Sequence, residues 1–224
     1  MEKLLRRVHF VAIAIIGVQV FIWAGTGFAF TFFDFQDVRG NYEKATDASD
    51  LPMDFDLAKA RAALGPRTVL EARCKRVAGR PVVEFRTPEG PVLVEGDRII
   101  SPLSEPDAVE VASRALKHKP PVRRVTRQET KIAEYDSELP AWRVEFEDAK
   151  DTTIYVSPST GEVTARRNKK WRQFDLLWSL HVLGYIDRSN PANWPLRIVG
   201  GLALIVVLSG IGIALCALRR KTNA

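Results

Sequence analysis

Two stretches of the chain, residues 8–33 and 198–218, each run more than twenty residues without an Asp, Glu, Lys or Arg. A helix rises 1.5 Å per residue, so a hydrocarbon core of about 30 Å takes roughly twenty apolar residues to cross. Both stretches meet that length, and no soluble fold needs two of them. The chain therefore reads as a two-pass membrane protein with everything between the spans on one side.

The charge distribution gives the side. Lys3, Arg6 and Arg7 stand against Glu2 before the first run, while Arg197, Arg219, Arg220 and Lys221 flank the second with no acid. These arms account for the whole net charge of +6, and the region between them sums to zero. Basic clusters beside a span stay on the cytoplasmic side, so both termini are expected inside and the central region outside. The high pI is thus a topology signal rather than a nucleic-acid footprint. A cleaved signal peptide is the rival reading of the N-terminus, with residues 24–29 offering small residues for cleavage. The run is long for that role, and it closes on Phe28, Phe30, Phe32, Phe33 and Phe35, an aromatic cluster suited to a retained anchor at the outer interface.

Only two cysteines exist, Cys74 in the central region and Cys216 in the second span. An exported region with one thiol has no internal disulfide framework and relies on its core, unless Cys74 pairs between chains. Its alternating surroundings read as a partly buried position in a strand.

The central region carries an internal repeat. Leu57, Ala60 and Leu64 have the spacing of one helical face, and Val109, Ala112 and Leu116 repeat those offsets 52 residues later. Gly65-Pro66 stops the first helix and Pro120-Pro121 the second, while Ser104 followed by Asp107 reads as a capping box. Strand patterns follow each helix: 68–75, 81–86, 91–94 and 98–100 in the first copy, 122–126, 141–146, 152–156 and 163–165 in the second. Val-Glu-Phe stands in both, at 83–85 and 144–146. A helix followed by an antiparallel meander buries one sheet face beneath the helix, which makes the fold class α+β.

The second copy resembles a known domain. Residues 153–163, Thr-Ile-Tyr-Val-Ser-Pro-Ser-Thr-Gly-Glu-Val, look like the hairpin of PepSY domains, where Tyr-Val runs through Asp-Pro-x-Thr-Gly into Glu-Val. Ser157 stands here where Asp is common. Arg6-Arg7-Val8-His9 leading into a span that ends Trp23-Ala24-Gly25-Thr26-Gly27, and Leu180-His181 ahead of Trp194 and the second span, are similar to the PepSY-associated transmembrane family. The resemblance covers nearly the whole chain. It implies the inner membrane of a bacterium, a periplasmic central region and a tandem PepSY-like α+β build. On that reading residues 1–7 form a cytoplasmic arm, 8–33 a span, 34–104 and 105–167 the two units, 168–193 an amphipathic juxtamembrane segment, 194–218 the second span and 219–224 a cytoplasmic tail.

Enzymatic constellations are not found. His-Glu-x-x-His, Gly-x-Ser-x-Gly, Cys-x-x-Cys and phosphate-binding glycine loops are absent, so no catalytic residue and no metal site is assigned. Glu145, Glu147, Asp148 and Asp151 read as a solvated face. His118, between Lys117 and Lys119, reads as an exposed helix end. His9 and His181 differ, because each stands at a membrane boundary where an unpartnered imidazole is costly. Some larger relatives in the family are haem-binding reductases that pass electrons to ferric siderophores, and their ligands are histidines at such positions. By resemblance His9 and His181 become candidate ligands of haem b. They belong to opposite boundaries, so one chain cannot close a bis-histidine site and a homodimer would be needed. The other reading makes both interfacial polar residues. PepSY domains in protease propeptides hold peptidases inactive, so the resemblance first implies a non-catalytic binding or regulatory module for an envelope partner. The haem-carrying electron-transfer subunit is the alternative.

Two further patterns concern the bilayer. Trp171, Phe174, Trp178, His181 and Tyr185 form an aromatic stripe on one helical face, near Arg166, Arg167, Lys169 and Lys170. Such a helix suits the outer leaflet surface, with the cations at lipid phosphates, or equally the face of a sheet. Gly25 with Ala29 and Gly210 with Ala214 have the spacing of close helix packing, expected to join the two spans.

Overall fold

The computed structural model describes residues 2–45, 55–184 and 194–222. The chain divides into two compact bodies, one made of the residues up to Phe33 and from Gln173 onward, the other of Asp34–Arg172. In chain order, helices α1 (Glu2–Phe30), α2 (Phe35–Val38) and α3 (Leu57–Ala63) precede strands β1 (Glu71–Val77), β2 (Arg80–Thr87), β3 (Gly90–Glu95) and β4 (Arg98–Ile99). Helix α4 (Glu105–Arg114) then leads into β5 (Val122–Gln128), β6 (Ala141–Phe146), β7 (Thr153–Val156) and β8 (Val163–Arg167). Helices α5 (Lys169–His181) and α6 (Trp194–Thr222) follow.

The repeat is real at the level of topology. Each helix is followed by a four-stranded antiparallel meander, in the orders β1-β2-β3-β4 and β5-β6-β7-β8. Alternation of side chains along a strand sends Val83 and Phe85 to the face beneath α3, where they pack with Ala60, Leu64 and Val94. Val144 and Phe146 do the same beneath α4, with Ala108, Ala112, Leu116, Ile154 and Val156. The two Val-Glu-Phe tripeptides are thus structural equivalents, and their glutamates take the opposite face. Ser104 caps α4, accepting from the Asp107 N–H and donating to its carboxylate at 2.7 Å.

The helical faces depart from the reading in detail. Leu57 is half exposed and lies outside the cluster that α3 buries. Cys74, on the edge strand β1, is exposed rather than partly buried, while α3 packs on Val83, Phe85 and Val94 of β2 and β3. Glu145 is buried between Arg143 (2.6 Å) and Arg123 (3.0 Å), not displayed on a solvated face.

The copies dock through the hairpin that carries the resemblance. Gly161, at φ +69°, closes the Ser157 turn against Val77 and Leu103 of the first copy. Both peptide groups of Leu103 are taken by the second copy: its N–H donates to the Pro158 carbonyl at 2.7 Å, and its carbonyl accepts from Trp142 Nε1 at 2.9 Å. Val77, Val82, Leu93 and Leu103 form the buried seam, with Arg80 bonded to Asp107 at 2.5 Å and Lys75 to Glu162 at 3.2 Å along its edge. The outer face of the second sheet is covered by the segment 129–140, whose buried Tyr135 stacks on Tyr155 at 4.3 Å between centroids. Each small sheet is therefore covered on two faces, the second by its own α4 and segment 129–140, the first by α3 and by the docked second copy.

In the other body α1 and α6 run antiparallel, with His9 beside Gly210 and Leu5 beside Gly212. Both are long and apolar enough to cross a bilayer. Gly210 meets the His9 ring, as the small-residue spacing suggests, whereas among the described residues a Cβ at Gly25 would meet nothing within 4 Å.

Candidate functional site: two histidines in the membrane body

His9 lies on the face of α1 that meets α6. Its Nδ1 is 3.0 Å from the Val206 carbonyl and 3.1 Å from Ser209 Oγ. A carbonyl only accepts, so Nδ1 carries the proton and donates to it. The Ser209 hydroxyl is bonded back to the Ile205 carbonyl at 2.6 Å, which removes its own proton from competition. In the neutral imidazole the lone pair is left on Nε2.

His181 repeats this arrangement with different partners. Its Nδ1 is 2.8 Å from Thr26 Oγ1, and that hydroxyl donates to the Ile22 carbonyl at 2.7 Å. With its one proton committed, Thr26 can only accept from the ring, and Nε2 again holds the lone pair. The ring is enclosed by Trp178 (6.2 Å between centroids, stacked), Phe30 (5.4 Å) and Trp23 (6.4 Å). A backbone or hydroxyl acceptor on Nδ1 with Nε2 left free is the arrangement that protein histidines adopt as metal ligands.

The chain does not bring the two rings together. His9 and the His181 partner Thr26 are 17 positions apart along α1, about 26 Å. His118, in the other body, is exposed beyond the end of α4. Among the described residues no group of three or more metal-binding side chains occurs.

The aromatic stripe is divided by the structure. Trp171 lies under the Arg167 guanidinium at 4.2 Å. Phe174, Trp178 and His181 pack on Phe30, and Phe174 also on Phe33. Tyr185 and the turn at Asn190-Pro191 fall outside the described residues. The cations are not all displayed for lipid phosphates either. Arg167 Nε donates to the Glu134 carbonyl at 2.8 Å, Lys170 pairs with Asp37 at 3.6 Å, and burial of Arg166 pulls its guanidinium below the usual arginine range.

The span motif of the sequence contains Trp23 and Thr26 without revealing that they hold His181, and Gln19 lies outside it. Gln19, Trp23 and Thr26 lie at i, i+4 and i+7 on one face of α1. Gln19 Nε2 donates to the Leu180 carbonyl at 3.1 Å, and Trp23 Nε1 to the His181 carbonyl at 2.5 Å. These are last-turn carbonyls of α5, which have no partner within their own helix and cannot turn to water in an apolar setting. The signal was present: a Gln and a Thr inside a charge-free run are unusual enough to mark a face.

Residues 6–223 match the family model described as the PepSY-associated TM region. The chain belongs to that family, and its two apolar helices fit a two-pass membrane protein. No curated protein and no solved structure matches it.

Proposed function

We propose that this protein is a non-catalytic binding or regulatory module of the bacterial inner membrane. Both termini are cytoplasmic, Asp34–Arg172 is periplasmic, and the partner is an envelope protein of the peptidase class that the PepSY resemblance suggests. The observation that carries this reading is strand β5. Among the described residues it is hydrogen-bonded to one neighbour only, β6, although it is seven residues long. Long bare edges recruit extended segments of other chains, and natural proteins rarely leave them uncovered without a use or a guard. Arg124 is exposed on this edge, and exposed Lys117, Lys119 and Lys131 flank it, so an acidic extended segment complements it in charge. A photoreactive residue in place of Arg124, in the full chain in living cells, should give a discrete cross-linked adduct. The same probe at Glu105, exposed on α4, should not. Equal labelling from both positions, or from neither, counts against the reading.

The second reading is a haem-carrying electron-transfer subunit, favoured by the paired histidines. His9 and His181 each hold Nδ1 as donor and keep Nε2 for a ligand. Haem b would supply the one-electron chemistry, while the chain orients the imidazoles and encloses them in apolar side chains. The spacing of the two rings requires a second copy, His9 facing His9 and His181 facing His181. A visible spectrum of the purified full chain separates the readings: a reducible Soret band assigns haem.

A further inference from the structure

The last nine residues of α5, 173–181, belong to the same body as α1 and run antiparallel to it. Phe174 contacts Phe33 and Phe30, at the end of the charge-free run. Seven residues later His181 contacts Trp23 and bonds to Thr26. Thr26 is 8 positions and Trp23 11 positions inside Asp34, the first charge after the run. At 1.5 Å per residue this places His181 about 12–17 Å inside the charge boundary, against a half-thickness of about 15 Å for the hydrocarbon core.

We infer that residues 173–181 form a re-entrant half-membrane helix, whose uncovered face meets the lipid acyl chains of the leaflet nearest Asp34. Three observations support that occupant over water. The last carbonyls of the helix are capped by Gln19 and Trp23 from within the span, the provision that apolar surroundings demand. Leu176 and Trp178 are 57% and 42% exposed in a body whose other large exposed apolar side chains belong to the two membrane helices or their ends. Gln173 and Asp175 lie in its first turn at the Phe33 level, and beyond them come Leu176, Leu177, Trp178, Ser179, Leu180 and His181, the two polar members being satisfied within the body, Ser179 by the Leu176 carbonyl and His181 by Thr26. A helix lying on the membrane surface, as the aromatic stripe alone suggests, would not need caps from the middle of a span.

Positions 173, 176 and 180 lie on one helical face, at i, i+3 and i+7. A surface helix holds all three at one depth, whereas an inserted helix lowers them in order. The test uses the full chain with Cys74→Ser and Cys216→Ala, reconstituted in phosphatidylcholine vesicles. A nitroxide is attached in turn through Gln173→Cys, Leu176→Cys and Leu180→Cys, and depth is read from the ratio of oxygen to nickel-chelate accessibility. The expected result is a depth that increases by about 4 Å from 173 to 176 and about 6 Å more to 180. Gln173 and Leu176, both exposed, carry the comparison if the Leu180 variant does not fold. Equal depths at 173 and 176, or nickel access at 176 matching that of a label at exposed Glu162, overturn the inference.

Discussion

A Cβ added to Gly161 would stand 2.7 Å from Cγ1 of Val77, the residue that ends β1 of the other copy. The hairpin glycine is therefore held by two independent demands, a positive φ and a close approach across the seam. Gly161→Ala is expected to cost about 1–2 kcal/mol for the left-handed backbone, plus the cost of moving a buried valine. Val77→Ala removes the clash and not the φ, so the double variant should be more stable than the sum of the two single losses. Chemical denaturation of the full chain in detergent measures all three. Strict additivity would show that Gly161 is held by its backbone alone.

Leu116 is 4% exposed and Leu57 50%, although the sequence sets both on repeated helical faces. Leu116→Asp puts a carboxylate among Ala112, Val144 and Phe146 and is expected to cost about 4 kcal/mol or more. Leu57→Asp should change stability by less than about 0.5 kcal/mol. Near-ultraviolet circular dichroism during unfolding reads both, and a tolerated Leu116→Asp would mean that α4 is not packed on β6 and β7.

The strands were legible because a half-buried sheet imposes a period of two, and Val-Glu-Phe marks that period in both copies. The cover over Tyr155 was not. Its apolar anchors Tyr135 and Leu139 have no period, and Tyr135 is buried by stacking rather than by membership of a face. The exposure of Cys74 reflects the place of β1 at the edge of its sheet, outside the cluster that α3 buries on β2 and β3, and an alternating pattern does not reveal strand order. For α5 the aromatic stripe fits a membrane surface, a sheet or a neighbouring helix alike. What selects the neighbour is Gln19, Trp23 and Thr26, three polar groups that a hydropathy window averages away.

Just beyond the first span, the Tyr42 hydroxyl donates to Asp34 at 2.6 Å, and the Gln36 N–H donates as well. These bonds favour the carboxylate and hold Asp34 below the usual aspartate range, Tyr42 being the larger cause. A depressed folded value contributes stability above the unfolded pKa of about 3.9, and that stability is lost as pH falls through the folded value. Tyr42→Phe should raise the Asp34 midpoint in a carboxyl carbon NMR titration and reduce this acid-side loss, the Gln36 N–H still holding part of it. An unmoved midpoint would place the cause elsewhere.

The orientation rests on the arms. A phosphatase fused after Ala224 should be inactive, and one inserted at Ser137, exposed in the segment over Tyr155, should be active. Replacing Arg219, Arg220 and Lys221 by Gln should reduce that contrast, since they supply most of the basic excess beside α6. Activity at the C-terminus of the unaltered chain would reverse the topology.

Thr26 gives the haem reading a test that does not remove a ligand. Thr26→Val keeps the shape of the side chain and deletes the acceptor for His181 Nδ1–H. Loss of such an orienting partner weakens metal binding by roughly 10- to 100-fold while leaving the ligand in place. The haem on the His181 side should therefore titrate more weakly, and its reduced spectrum should shift, with the His9 site unchanged. Thr26→Ser restores the acceptor and should restore binding. Ser209→Ala is expected to be milder at His9, because the Val206 carbonyl remains as acceptor at 3.0 Å. His118→Ala should do nothing. A wild-type chain purified from haem-supplied cells with no Soret band would end this reading, and the hydrogen bonds of His9 and His181 would then serve only to satisfy two imidazoles inside an apolar body.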